Sequence, residues 1–149
     1  MRNLLIITFL FFSHGQLFSQ DVEEVEDTGE IVDVPFAVIE NVPVYPGCIG
    51  EDNDVLRKCM ANNVSAFVNK KFNLRKASKG LEPGNYEIFV FFKIDKEGYI
   101  TNIRSRAPNE KIEKEAIKVI EKLPRMKPGE FKGKKVAVIY TLPITFNVE

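Results

Sequence analysis

The sequence predicts an α+β domain: two helices packed on one face of a three-stranded antiparallel sheet, in the order helix–strand–strand–helix–strand. Three observations in the 149-residue chain carry this expectation. An alternating, β-branched and aromatic hairpin stands at residues 87–106. An amphipathic helix follows at 109–123, and a long alternating strand runs from Lys135 to Phe146.

The chain opens "MRNLLIITFLFFSHGQLFSQ", with Arg2 ahead of an apolar run from Leu4 to Phe12 and the small Ser19 beyond a short polar region. That layout predicts a signal peptide over residues 1–19, cut after Ser19. An inner-membrane anchor is the competing expectation, but the apolar run is well short of the roughly 20 residues that span a bilayer. Export would place the protein in the periplasm, where disulfides persist. About 130 residues then remain, enough for one domain.

Charge is unevenly spread. Residues 20–54 hold eleven Asp or Glu and no Lys or Arg, whereas 55–149 carry a net +10. Residues 20–35 are predicted to be an acidic disordered arm, and 36–149 the folded domain. Acidic side chains alternate with the basic ones through the helical stretches, which argues against nucleic acid as a partner.

The proline-bounded "PFAVIENVPVYP" suits an extended segment lying against a core. A helix begins at Asp52 or Asn53, because Val55 or Leu56, Cys59 or Met60, Val64, Phe67 or Val68, and Phe72 recur at helical spacing behind a capping side chain. "KGLEPGN" at 79–85 is turn material. In the hairpin, Ile88, Val90, Phe92 and Ile94 share one face, and "DKEG" turns the chain with Gly98 able to take positive φ. Asn102, Arg104 and Arg106 share a polar face of the second strand. Phe89 and Phe91 fall on the first strand's other face, which another element covers or a partner uses.

Asn109 caps the next helix, whose stripe is Ile112, Ala116, Val119 or Ile120, and Leu123. "PRMKPGEFKGKK" reads as a connection. The final strand puts Val136, Val138, Tyr140, Leu142, Ile144 and Phe146 in phase. Pro143 has no N–H to donate, so this strand is expected at the sheet edge there, exposing unpaired backbone groups.

Catalysis finds little to work with. The only histidine, His14, lies inside the expected signal, and no phosphate loop, G-x-S-x-G or H-E-x-x-H occurs. Glu113 and Glu115, two apart on a helix, do not share a face. No catalytic residue, cofactor or metal site is expected, and the protein is not expected to be an enzyme. Cys48 and Cys59 are the only cysteines. They supply half of a structural zinc set and lack the C-x-x-C spacing of thiol catalysts. A structural disulfide fits best in an oxidising compartment.

Several motifs agree in order with a known family. "YP" before the first helix, "FKIDKEGYITNI", "RAPNEKIEKEAIKVI" and "LPRMKPGEFKGKKVAVIYTLPITF" together resemble the C-terminal domain of TonB-family energy transducers, in its cysteine-bearing form, over roughly residues 36–146. The resemblance implies a periplasmic binding module that grips the extended N-terminal motif of an outer-membrane transporter. It implies strand addition beside the last strand, through Val136, Val138, Tyr140, Leu142 and Ile144. It also implies receptor contact by Asn41, Val42, Pro43, Val44, Tyr45 and Pro46. A complete transducer of this family engages an inner-membrane proton-motive complex through an uncleaved anchor, which the signal-like N-terminus here does not match. The alternative is a soluble periplasmic interaction protein of the same fold without energy coupling. An exposed edge also leaves a homodimer open.

Overall fold

The computed structural model describes residues 33–149. The expected signal peptide, and the acidic arm as far as residue 32, lie outside the described residues. The elements are β1 (Asp33–Pro35), α1 (Asn53–Lys71), α2 (Leu74–Ala77), β2 (Gly84–Ile94), β3 (Ile100–Arg106), α3 (Glu110–Ile120), β4 (Gly129–Phe131) and β5 (Lys134–Val148).

Both long helices begin where a short polar side chain can accept from the first turn. Asp52 accepts from the Val55 N–H, and Asn109 accepts from the Ile112 N–H, satisfying donors that have no partner within the helix. α1 buries Met60, Val64 and Val68; α3 buries Ile112, Ala116, Val119 and Ile120. Glu110 and Lys114 pair at 2.7 Å on the exposed side of α3.

β2 and β5 are the spine of the sheet, antiparallel from Gly84 opposite Val148 to Ile94 opposite Val138 without a register shift. Their inward faces, Ile88, Val90, Phe92 and Ile94 against Tyr140, Leu142 and Ile144, form the main core with α1 and α3. β3 pairs with the far side of β2, and its register slips between Phe91 and Lys93, where Asn102 takes φ 50°. An extra residue in one strand has this effect, a β-bulge. The other sheet face carries no helix among the described residues. Phe91 is 40% exposed there, opposite Arg104, and Phe89 stands opposite Arg106.

Several expectations need correction. The α+β class holds, but the sheet is mixed and five-stranded, with path order β1-β5-β2-β3 and β4 beside β5. Asp33–Pro35, expected at the end of the disordered arm, forms β1, parallel to Ala137–Ile139. The stretch read as a connection after α3 contains β4, which joins β5 through a two-residue turn with both Lys132 (φ 50°) and Gly133 (φ 73°) left-handed. Positive φ at both central residues suits the twist of a tight hairpin. β2 begins at Gly84, inside the expected turn, and the short α2 precedes it. The last strand is therefore not a simple edge: β4 and β1 flank its first half.

The β2–β3 turn is locked to the loop before β4. Met126 N–H donates to the Gly98 carbonyl at 3.0 Å, and Arg125 donates to the Glu97 carbonyl while lying over the Tyr99 ring. A Cβ on Gly98 would stand 1.8 Å from the Met126 carbonyl oxygen, and Gly98 has φ +88°. Gly98→Ala is expected to cost about 2 kcal/mol or more, measurable as a lower denaturation midpoint at unchanged m-value.

Candidate functional site

The candidate surface is built on β5. Its alternate residues Val136, Val138, Tyr140, Leu142 and Ile144 all turn inward and are buried. Their side chains are core, so any partner at this strand meets its backbone and the outward residues between them. The backbone directions follow from one hydrogen bond. Phe36 N–H donates to the Ile139 carbonyl at 2.9 Å, so Ile139 faces β1. Backbone polar groups alternate sides along a strand, and the β2–β5 register is unbroken. Thr141, Pro143, Thr145 and Asn147 therefore direct their backbone groups to the β1 side, but beyond the end of β1. No strand pairs with them there among the described residues.

That open run is where Pro143 is harmless, since its missing N–H faces no partner strand. The strand is thus an edge at Pro143, as the sequence predicts, although it is interior nearer its start. α1 flanks the open run: Ser65, Val68 and Asn69 line a shallow cleft with Pro143 and Thr145.

The segment expected to meet a receptor is placed elsewhere. Asn41 exchanges backbone hydrogen bonds with Glu130 at 3.1 and 2.9 Å, and Val44 does so with Lys127 at 3.0 Å each way. Val42 and Pro43 are buried, and Val42 N–H donates to the Asn53 side chain. Tyr45 is half-buried against the main core, while Asn41 and Pro46 are exposed. The segment is laid beside β4, which in turn pairs with the start of β5. Five residues separate Val136 from Thr141, roughly 17 Å along a strand. The two stretches therefore flank opposite ends of β5, with β1 between them.

"YPGC" forms a tight turn, with Gly47 at φ 91° and Cys48 N–H donating to the Tyr45 carbonyl at 3.0 Å. Pro then Gly at the two central positions is the type II pattern. It delivers Cys48 to Cys59 on α1, and the two form a disulfide with Cα atoms 5.9 Å apart. Asn63, one turn further along α1, donates to the Cys59 carbonyl at 2.8 Å. Among the described residues, no group of three or more His, Cys, Asp or Glu could hold a metal ion, and no helix is long and apolar enough to cross a membrane.

Residues 87–148 match the family model of the Gram-negative bacterial TonB protein C-terminal. No curated protein and no solved structure matches the chain. The TonB match begins within β2 and leaves out α1 and both cysteines, yet Met60, Val64 and Val68 of α1 share one core with the matched strands. Sequence reasoning missed Thr141, Thr145 and Asn147 as edge donors. The signal for them was Pro143 itself, which marks the phase whose N–H groups go unpaired.

Removing the staple with Cys48→Ser and Cys59→Ser is expected to cost about 3 kcal/mol, the entropy of a closed loop of about twelve residues, read as a fall in Tm of about 10 °C. Burial pushes the Tyr140 phenol above its ordinary 10.0, and that of Tyr45 likewise. With the folded-state value raised, their neutral forms support the fold below pH ~10, and this support is lost as pH climbs through the folded value. Tyr140→Phe should flatten the loss of stability above pH ~10 and change stability at pH 7 by no more than about 1 kcal/mol, as seen in chemical denaturation across that range.

Proposed function

We propose that the protein is a periplasmic TonB-like binding module that takes the extended N-terminal motif of an outer-membrane transporter as an added strand on β5, in support of TonB-dependent transport. The observation that carries this reading is the unpaired run Thr141–Asn147, along which the other side of the strand is paired to β2. The similarity of residues 87–148 to the TonB C-terminal family model supports a transport-related, non-catalytic role. Strand addition suits such a role, because main-chain hydrogen bonds hold a peptide with little regard to its side chains. Val136, Val138, Tyr140, Leu142 and Ile144 then act as the rigid inner face that keeps the edge straight. Asn41–Pro46 braces the other end of β5 and offers the exposed Asn41 and Pro46 to the receptor. Export through a signal peptide over 1–19, and a short acidic arm ahead of the domain, belong to the same proposal.

A second reading is favoured by the occupancy of the edge by β1: a soluble periplasmic interaction protein of this fold without energy coupling. In it, neither an inner-membrane proton-motive complex nor a transporter is engaged, and the edge pairs with another partner or with a second copy.

Titrating the exported chain with peptides from transporter N-termini separates the two. Saturable binding, with amide protection appearing at Thr141, Thr145 and Asn147, is expected. Thr145→Pro deletes one edge donor and should weaken binding about five- to tenfold, the worth of one net hydrogen bond, with the fold retained. Absence of saturable binding removes the transporter reading.

A further inference from the structure

We propose that β1 is a displaceable strap: Asp33–Phe36 occupies part of the β5 edge that a guest strand would take, and it must leave before that edge can be used in full. This rests on the strand-addition reading above.

The occupancy is explicit in the register. Asp33, Val34 and Pro35 lie parallel to Ala137, Val138 and Ile139, and Phe36 N–H closes the pairing on Ile139. Where β1 ends, the Phe36 ring stands edge-on to Tyr140 at 4.8 Å. Pro35, Phe36 and Ala37 line a cleft with Ile139, Tyr140 and Thr141. A guest confined to the open run meets only Thr141, Pro143, Thr145 and Asn147, and Pro143 offers no donor. A longer guest collides with Phe36.

Apart from the Phe36 ring, which packs on the rim of the main core at Tyr140, the strap is held by attachments outside that core. Asp33 pairs with Lys93 at 2.6 Å on the helix-free face, both side chains being more than a quarter exposed. Val34 is buried in a small satellite cluster with Ile39, Val42, Val136 and Val138. The Arg57 guanidinium lies over the Phe36 ring and donates to the Phe36 carbonyl.

The chain just beyond is rooted independently. Arg57 also donates to the Ile39 carbonyl at 3.2 Å, Val42 is tied to Asn53, Asn41 and Val44 bridge to Glu130 and Lys127, and Cys48 is covalently fixed to α1. Between the two anchorages lies a turn closed by Val38 N–H on the Pro35 carbonyl, with Val38 65% exposed. That turn is the natural hinge. From Ile39 onward the chain keeps its backbone and disulfide anchors when β1 peels away, losing only the Val34 and Phe36 contacts, and the freed edge then runs from Ala137 to Asn147.

The test uses the full exported chain with two release variants. Asp33→Lys sets two cations face to face on an exposed surface and leaves the core untouched. Asp33→Lys with Val34→Asp also places a carboxylate in the satellite cluster. Amide exchange at Ile88 and Phe92 verifies that β2 and β5 remain paired in each. In the wild type, the Phe36 amide should exchange by a local opening well before those of β2, and its protection should vanish in the double variant. Affinity for a transporter N-terminal peptide should rise about tenfold or more in the double variant, because the open state no longer has to be drawn from a minor population. Equal affinity in wild type and variants overturns the strap while leaving strand addition standing, and weaker binding by the variants makes β1 part of the receptor site and overturns it too. Failure of every form to bind the peptide removes the strand-addition reading, and the strap with it.

Discussion

The pairing of β2 with β5 is the constraint on which the rest of the domain depends. It runs from Gly84 to Ile94 on one strand and from Val138 to Val148 on the other in a single register. A slip of one residue would put Ile88, Val90 and Phe92 on the opposite face from Tyr140, Leu142 and Ile144. With the register held, one face of the ribbon is continuously apolar and both long helices must lie on it. The same register decides which β5 backbone groups are spent on β2 and which remain on the outer side. The core and the candidate site are thus two consequences of one pairing: alternate residues fill the interior, and those between them present the edge.

The elements legible in the sequence are those whose signals are local. Asp52 and Asn109 stand ahead of helical apolar spacing, Gly98 sits in a four-residue turn, and β2 and β5 alternate with period two. In each case neighbouring residues determine the outcome. The disulfide was legible for a different reason, since two cysteines allow one intramolecular pairing. β1 was not legible, because "DVP" has no periodicity and is a strand only through a parallel partner about a hundred residues away. β4 was hidden among prolines and glycines, although Lys132-Gly133 is a serviceable two-residue hairpin turn. The position of β5 between β1 and β2 is a matter of strand order, which no local pattern encodes.

The candidate site shows the same division. The in-phase residues of the last strand were found because hydrophobic alternation is easy to see, and they proved to be the inward set. The edge belongs to the complementary set, whose side chains are small or polar and carry no pattern of their own. For the segment Asn41–Pro46, proline placement revealed an extended chain but not its neighbour. The neighbour is β4, the strand that was not seen. A match confined to residues 87–148 fits this picture, since the hairpin, α3 and β5 are the locally encoded part of the domain.

The place of β5 also has a consequence for the order in which the molecule can assemble. It is the last of the eight elements among the described residues, yet β1, β2 and β4 all pair with it. Before it arrives, the β2–β3 hairpin can form with α3 against it, but the other edge of β2 has no partner strand and the core lacks Tyr140, Leu142 and Ile144. Contacts between β1 and β5 are then among the longest-range in the fold, which makes their formation late and the partly made sheet exposed to association with other chains. Under the proposed export the sheet would close only once the final strand has crossed, and the proposed strap would settle on the edge only after that.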